Sequence, residues 1–262
     1  MSNFLDSGTK RKTYSLILGI LYVFISYGTA SLFFSENISM AMIMLITLLF
    51  VPTVSRFIEK EVDARENGKT NVFKHNKTLI EVFFFLFIGI SIGYFIIGSV
   101  YSDSIQYQTD MLQNQIKVNI DGIQKGPQAL SLMINNIEVI LVAFVLSLFY
   151  DVGALFLIVR TASVFAGFIL KFSSFIAEKT ALNAAIFSIH FIPEIFGFLL
   201  AALAGGVISK ALVKKNMETS QFRKIIRDGT VLLVISICII VFAALLEAFV
   251  TPEIMKLFLS KV

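Results

Sequence analysis

The chain is poor in charge. Of its 262 residues only 15% are Asp, Glu, Lys or Arg, while 56% are hydrophobic. Soluble domains carry about 25% charged and about 45–50% apolar residues. One globule of this size could not hide so much apolar surface from water. A soluble domain and a disordered chain are therefore excluded. Cysteine is almost absent. Cys238 stands alone, which excludes an internal disulfide and with it a secreted disulfide scaffold. Two histidines, His75 and His190, are too few for a His-rich metal cage. Tryptophan is missing altogether, so 27 phenylalanines are left to fill gaps and coat a lipid face. No P-loop, GxGxxG or nucleophile–base motif occurs, and no enzymatic chemistry and no cofactor are expected.

What the chain does have is long apolar runs. A helical crossing needs about 20 mostly apolar residues. Seven runs qualify: residues 14–34, 38–57, 79–100, 130–149, 152–170, 185–209 and 230–250. They are apolar all round, unlike the ~10-residue alternating strands of a transmembrane β-barrel. The reading is an all-α, polytopic transmembrane helical bundle of about seven spans. The first run follows Lys10, Arg11 and Lys12 and resembles a signal peptide. It is longer than an h-region of about 7–15 residues and is read as an uncleaved span.

Lysine and arginine in the connections set the orientation. The N-terminal tail has three, segment 58–78 has five and segment 210–229 has six. Segment 35–37 has none, and segments 101–129, 171–184 and the C-terminal tail have two each. A cytoplasmic N-terminus and an external C-terminus put every strongly basic segment inside a cell membrane. The net charge of +4 is then a topology label, and no nucleic-acid partner is needed. The parity requires an even number of crossings within 130–170. That stretch therefore reads as a tight hairpin turning at Asp151 and Gly153, or as a re-entrant pair. The organisation expected is a transmembrane hairpin over 1–58, a charged cytoplasmic loop over 59–78 and a membrane core over 79–262. Segment 101–129 is external. Ile105, Leu112, Ile116, Ile120 and Ile123 recur in it at helical spacing, so it reads as an amphipathic helix on the membrane or capping the bundle, or else as a solvated loop.

Small residues let membrane helices approach closely. Gly89 and Gly93 form a GxxxG in the third span, and Gly205 and Gly206 each follow an alanine by four residues in the sixth. These faces serve internal packing or a homo-oligomer. Membrane lipids and other membrane proteins are the remaining partners expected.

Ionisable groups inside spans are costly, and they are paired or functional. Glu138, Arg160 and Glu194 lie about 12, 15 and 14 Å below the outer ends of their spans, at 1.5 Å per residue. His190 is one turn above Glu194 on the same face. Pro193 removes a backbone donor and is expected to break the turn before it. Glu138, Arg160, His190 and Glu194 thus read as a polar pocket or conduit, or as a buried charge network that fixes helix register. In either case Arg160 is expected to pair with Glu194 or Glu138. His190 and Glu194 alone are too unspecific for a metal site, and no metal is expected.

Residues 186–206, IFSIHFIPEIFGFLLAALAGG, resemble the signature of the stage II sporulation protein M family, Pro-His-Gly-x-x-Glu followed by an alanine- and glycine-rich helix. His190 and Glu194 match. Ile189 and Phe191 replace the proline and the glycine. Upstream, NNIEVILVAFVLSLFYDVGALFLI resembles the family's Asn-rich helix start and glycine-punctuated hairpin, through Asn135, Asn136 and Gly153. LLEAFVTPE, with Glu247, Thr251 and Pro252, resembles the close of its last span. The N-terminal part resembles the longer archaeal branch. The resemblance implies an integral membrane protein without known catalytic activity, acting as a scaffold or accessory subunit of a membrane complex. The alternative on the residues themselves is a transporter or channel with the polar cluster as its site.

Overall fold

The computed structural model describes residues 8–34, 36–66, 72–111, 125–149, 152–173, 177–213, 219–251 and 253–254. Among them the regular structure is helical throughout. The long helices are α1 (Gly8–Phe33), α2 (Ile38–Glu66), α3 (Val72–Val100), α4 (Lys125–Phe149), α5 (Val152–Ser173), α6 (Ala177–Val213) and α7 (Thr219–Leu245). A 3₁₀ turn, Ser102–Ile105, runs on helically to residue 111. Leu246–Val250 closes α7 as a π turn.

Five segments are long and apolar enough to cross a membrane: Thr9–Phe33, Ile38–Arg56, Ile80–Val100, Ile189–Ser209 and Ser220–Val250. The chain is thus an all-helical protein with the make-up of a polytopic membrane bundle. Stretch 130–170 forms two separate helices, α4 and α5, which pack on each other. Asp151 of the expected turn lies outside the described residues, and Gly153 is already the second residue of α5. The 59–78 segment is helical at both ends, with α2 running on to Glu66 and α3 starting at Val72. Its glutamates, lysines and arginine are good helix formers, and no glycine or proline intervenes before Gly68.

The α1–α2 corner is tight because Asn37 adopts a left-handed conformation, φ 62°. Asparagine tolerates that region better than residues with bulkier side chains. Its carbonyl accepts from the Met40 and Ala41 N–H groups at 3.1 Å each, which starts α2.

The centre of the bundle is α6, which contacts α7, α5, α4, α2 and α3. It has few large side chains from Ala201 to Gly206, and all six residues are buried. A Cβ on Gly205 would strike Ser147 Cβ, and one on Gly197 would lie 2.6 Å from Ile240. On the other side of the bundle a Cβ on Gly89 would run into the Leu16 carbonyl. Gly19 answers it from α1, where a Cβ would lie 2.9 Å from the Leu86 carbonyl oxygen and 3.0 Å from the Gly89 carbonyl carbon, and a Cβ on Gly93 would meet Val23. The Gly89/Gly93 face is therefore spent on packing α3 against α1 within the chain. Two hydroxyls add cross-helix bonds of the kind that hold membrane helices together: Ser91 Oγ to the Ala162 carbonyl (3.3 Å) and Ser236 Oγ to the Gly197 carbonyl (2.8 Å).

Pro193 sits inside α6 without interrupting it, contrary to the break expected from sequence. A proline removes one donor, and the hydrogen bonds on either side hold the helix when neighbours pack around it. The described part of segment 101–129 follows the capping alternative and does not lie free on lipid. Ser104, Ile105 and Gln108 are buried, and the Tyr107 N–H donates to Ser39 Oγ at 3.1 Å. Residues 102–111 thus cap the bundle where α3 ends and α2 begins. Leu112, Ile116, Ile120 and Ile123 lie outside the described residues.

Candidate functional site

The polar groups of the membrane core gather around the first half of the apolar part of α6. His190 is 4% exposed, and its Nδ1 lies 3.2 Å from Thr251 Oγ1 just beyond α7. That geometry depends on the π turn. The wider turn carries one more residue than an α-turn would and rotates the residues after it. Thr251 then folds back, its N–H and its Oγ1 (3.2 Å) both reaching the Leu246 carbonyl.

Glu194, one turn along α6 from His190, interacts electrostatically with Glu247 of the π turn and with Arg160 of α5. The depth reading expects Arg160 to pair with Glu194; the interaction between them is electrostatic and longer-range. The close ion pair does not form. Among the described residues no carboxylate lies within 4 Å of the Arg160 guanidinium, which donates instead to Met111 Sδ at 3.3 Å. The reason is reach. An arginine stem lies along apolar surface and carries its head toward the polar end of the bundle, and there it meets the capping segment.

Glu138 does not join. It is exposed on α4, whereas Asn136 and Ile140, two residues to either side, are buried. Two residues rotate a helix by about 200°, so equal depth does not bring Glu138 to the cluster. Glu247 and Thr251 take its place. Depth arithmetic gives no rotational position, and nothing in the sequence announces a π turn. The one signal for these two residues is the LLEAFVTPE close.

Phe191, which stands where a glycine is usual in the signature, is buried and stacks on Phe165 of α5, centroids 5.2 Å apart and planes 13° apart. The aromatic pair fills the α5–α6 contact beside His190. Gly205 faces α4, and Gly206 is buried in the same helix. No group of three His, Cys, Asp or Glu converges to hold a metal among the described residues.

The residues so assembled, from α3 to the π turn, coincide with a known sequence pattern. The profile of the stage II sporulation protein M family matches residues 82–252. The chain belongs to this family. The match begins in α3 and ends just after Thr251, so it takes in His190, Glu194, Arg160, Glu247 and the whole of α4 to α7. The α1–α2 pair lies before it. No curated protein and no solved structure matches significantly.

Proposed function

We propose that this stage II sporulation protein M family member is a non-enzymatic subunit or scaffold of a membrane complex, and that its polar cluster is a register lock. The observation that carries this reading is the His190–Thr251 contact. A polar side chain on the central helix is engaged by the residue that follows the π turn of α7, and two further polar contacts join other segments: Arg160 of α5 to Met111, and Ser236 of α7 to the Gly197 carbonyl of α6. Polar groups joined helix to helix specify one arrangement of the bundle.

The proposal includes seven crossings of the cell membrane, N-terminus inside and C-terminus outside. Five come from the long apolar helices. The other two are α4 and α5, as a full hairpin or a re-entrant pair of equal parity. The loop charges support it, with basic residues concentrated in the tail, in 58–78 and in 210–229.

A second reading, a transporter or channel, is favoured by Glu194 and Glu247 lying near each other and near Arg160. Carboxylates inside a membrane mark ion and proton paths by default. Purification of the tagged chain from native membranes, beside reconstitution into proteoliposomes, separates the two. A scaffold brings down membrane partners in fixed ratio and carries no ion or proton flux. Flux that Glu194→Gln abolishes would replace it with the second reading.

A further inference from the structure

Helix α4 exposes a polar stripe where a lipid-facing helix should have none. Ser131, Asn135, Glu138, Val142 and Val145 are all exposed. Their spacing is 4, 3, 4, 3, the a/d repeat of two helices wound together. Leu130, Ile134, Leu141 and Leu146 flank the stripe and are exposed too. Glu138 belongs to the apolar stretch Met133–Ser147, so an ionisable group sits on an outer apolar face. Against lipid that position is costly. Asn135 has one long bond among the described residues, Nδ2 to Asn136 Oδ1 at 3.5 Å, for an amide with two donors and one acceptor.

We propose that this face joins two copies of the chain about a two-fold axis along the membrane normal, with Asn135 of each copy donating to Glu138 of the other. Two copies inserted the same way set their α4 helices side by side and parallel. Residues of equal depth then meet. Asn135 and Glu138 are three residues apart, about 4.5 Å along the axis, within reach of an amide and a carboxylate. A two-fold interface makes the bond twice, since i meets j and j meets i. The stripe is thus self-complementary, donor above and acceptor below on one chain. Below it Val142 and Val145 continue the seam with β-branched apolar contacts. A polar residue at one such position is also a known way of specifying register and number of strands. The alternative small-residue face is already used, because Gly89 and Gly93 close on α1. The proposal is independent of whether the α6 cluster is a lock or a conduit.

The test uses the full chain in lipid vesicles, with Cys238→Ser removing the exposed native thiol. Val142→Cys, in the seam, should give a disulfide-linked dimer on mild oxidation several-fold faster than Phe24→Cys on the exposed side of α1. Energy transfer between labelled copies should show dimer that Asn135→Leu/Glu138→Leu weakens about tenfold, the worth of two interhelical hydrogen bonds. Glu138→Gln keeps an acceptor and should retain the dimer. Unchanged helical content by circular dichroism shows that the variants fold. Equal cross-linking at 142 and 24, or an undiminished dimer in the double leucine variant, would each overturn the proposal, as would cross-linking at 142 in native membranes to a different membrane protein only.

Discussion

His190 Nδ1 and Thr251 Oγ1 stand 3.2 Å apart, 61 residues apart in sequence, and join the central helix to the end of the chain's last long helix. Thr251→Val keeps the shape and deletes the hydroxyl. It should lower stability by about 1–2 kcal/mol, the worth of one hydrogen bond plus part of the desolvation of a buried imidazole left without this contact. Thermal unfolding in a mild detergent reads it. Thr251→Ser restores the hydroxyl and should recover most of the loss. Equal stability of Val and Ser variants would remove the contact from the account.

Gly89 should behave as an internal packing residue. A Cβ there meets the Leu16 backbone, which cannot rotate away as a side chain would. Gly89→Ile should cost about 3 kcal/mol, at the upper end of overpacking effects. It should do so in the isolated chain and leave the self-association of the surviving folded fraction unchanged. Loss of self-association without loss of stability would reassign that face.

The helices were legible because each needs a long apolar run, and lipid leaves no other way to satisfy the backbone. Rotation about the helix axis was not legible. Depth arithmetic sets Glu138 level with Arg160 and Glu194, but Glu138 is exposed while Asn136 and Ile140 on either side of it are buried. Pro193 illustrates the opposite error. Its local chemistry argues for a break, but the helix runs on through it, packed against its neighbours on one side. The period of segment 101–129 leaves lipid, bundle cap and solvated loop open, and the buried inner side of residues 102–111 decides for the cap, with Gln108 fully buried and its amide unpartnered among the described residues. The π turn that delivers Glu247 and Thr251 has no sequence period of its own.

The proposed topology has a direct check. Single cysteines at Lys69 and Gln113, in the Cys238→Ser background, should react with an impermeant reagent from opposite sides of the membrane. Lys69 lies in a strongly basic connection and Gln113 in a weakly basic one. The reagent applied to intact cells should label position 113 alone, and position 69 should label only after permeabilisation. Labelling of both from one side would require an odd number of crossings to be removed, with α4 and α5 unaffected because they lie beyond both sites.

Among the described residues the Glu194 cluster holds two carboxylates and one guanidinium, and the imbalance gives the sharpest test of what it does. Glu194 and Glu247 interact as like groups, while Arg160 interacts with Glu194 from a distance and donates its side-chain hydrogen bond to Met111. Removing one carboxylate relieves repulsion and keeps a polar amide of the same shape. Glu194→Gln should therefore be neutral or stabilising. Arg160→Leu removes the Met111 contact and the cation that interacts with Glu194 from a distance, and should destabilise by about 2 kcal/mol, less than the loss of a close buried pair. Combining them should restore part of that loss, a coupling of about 1–2 kcal/mol for groups in one network. A lock predicts this order of stabilities, with complex assembly following stability. A conduit predicts that Glu194→Gln, however stable, abolishes transport. If Glu194→Gln unfolds the chain while Arg160→Leu leaves it intact, the carboxylate is held by something other than these charges, and the electrostatic account of the cluster fails.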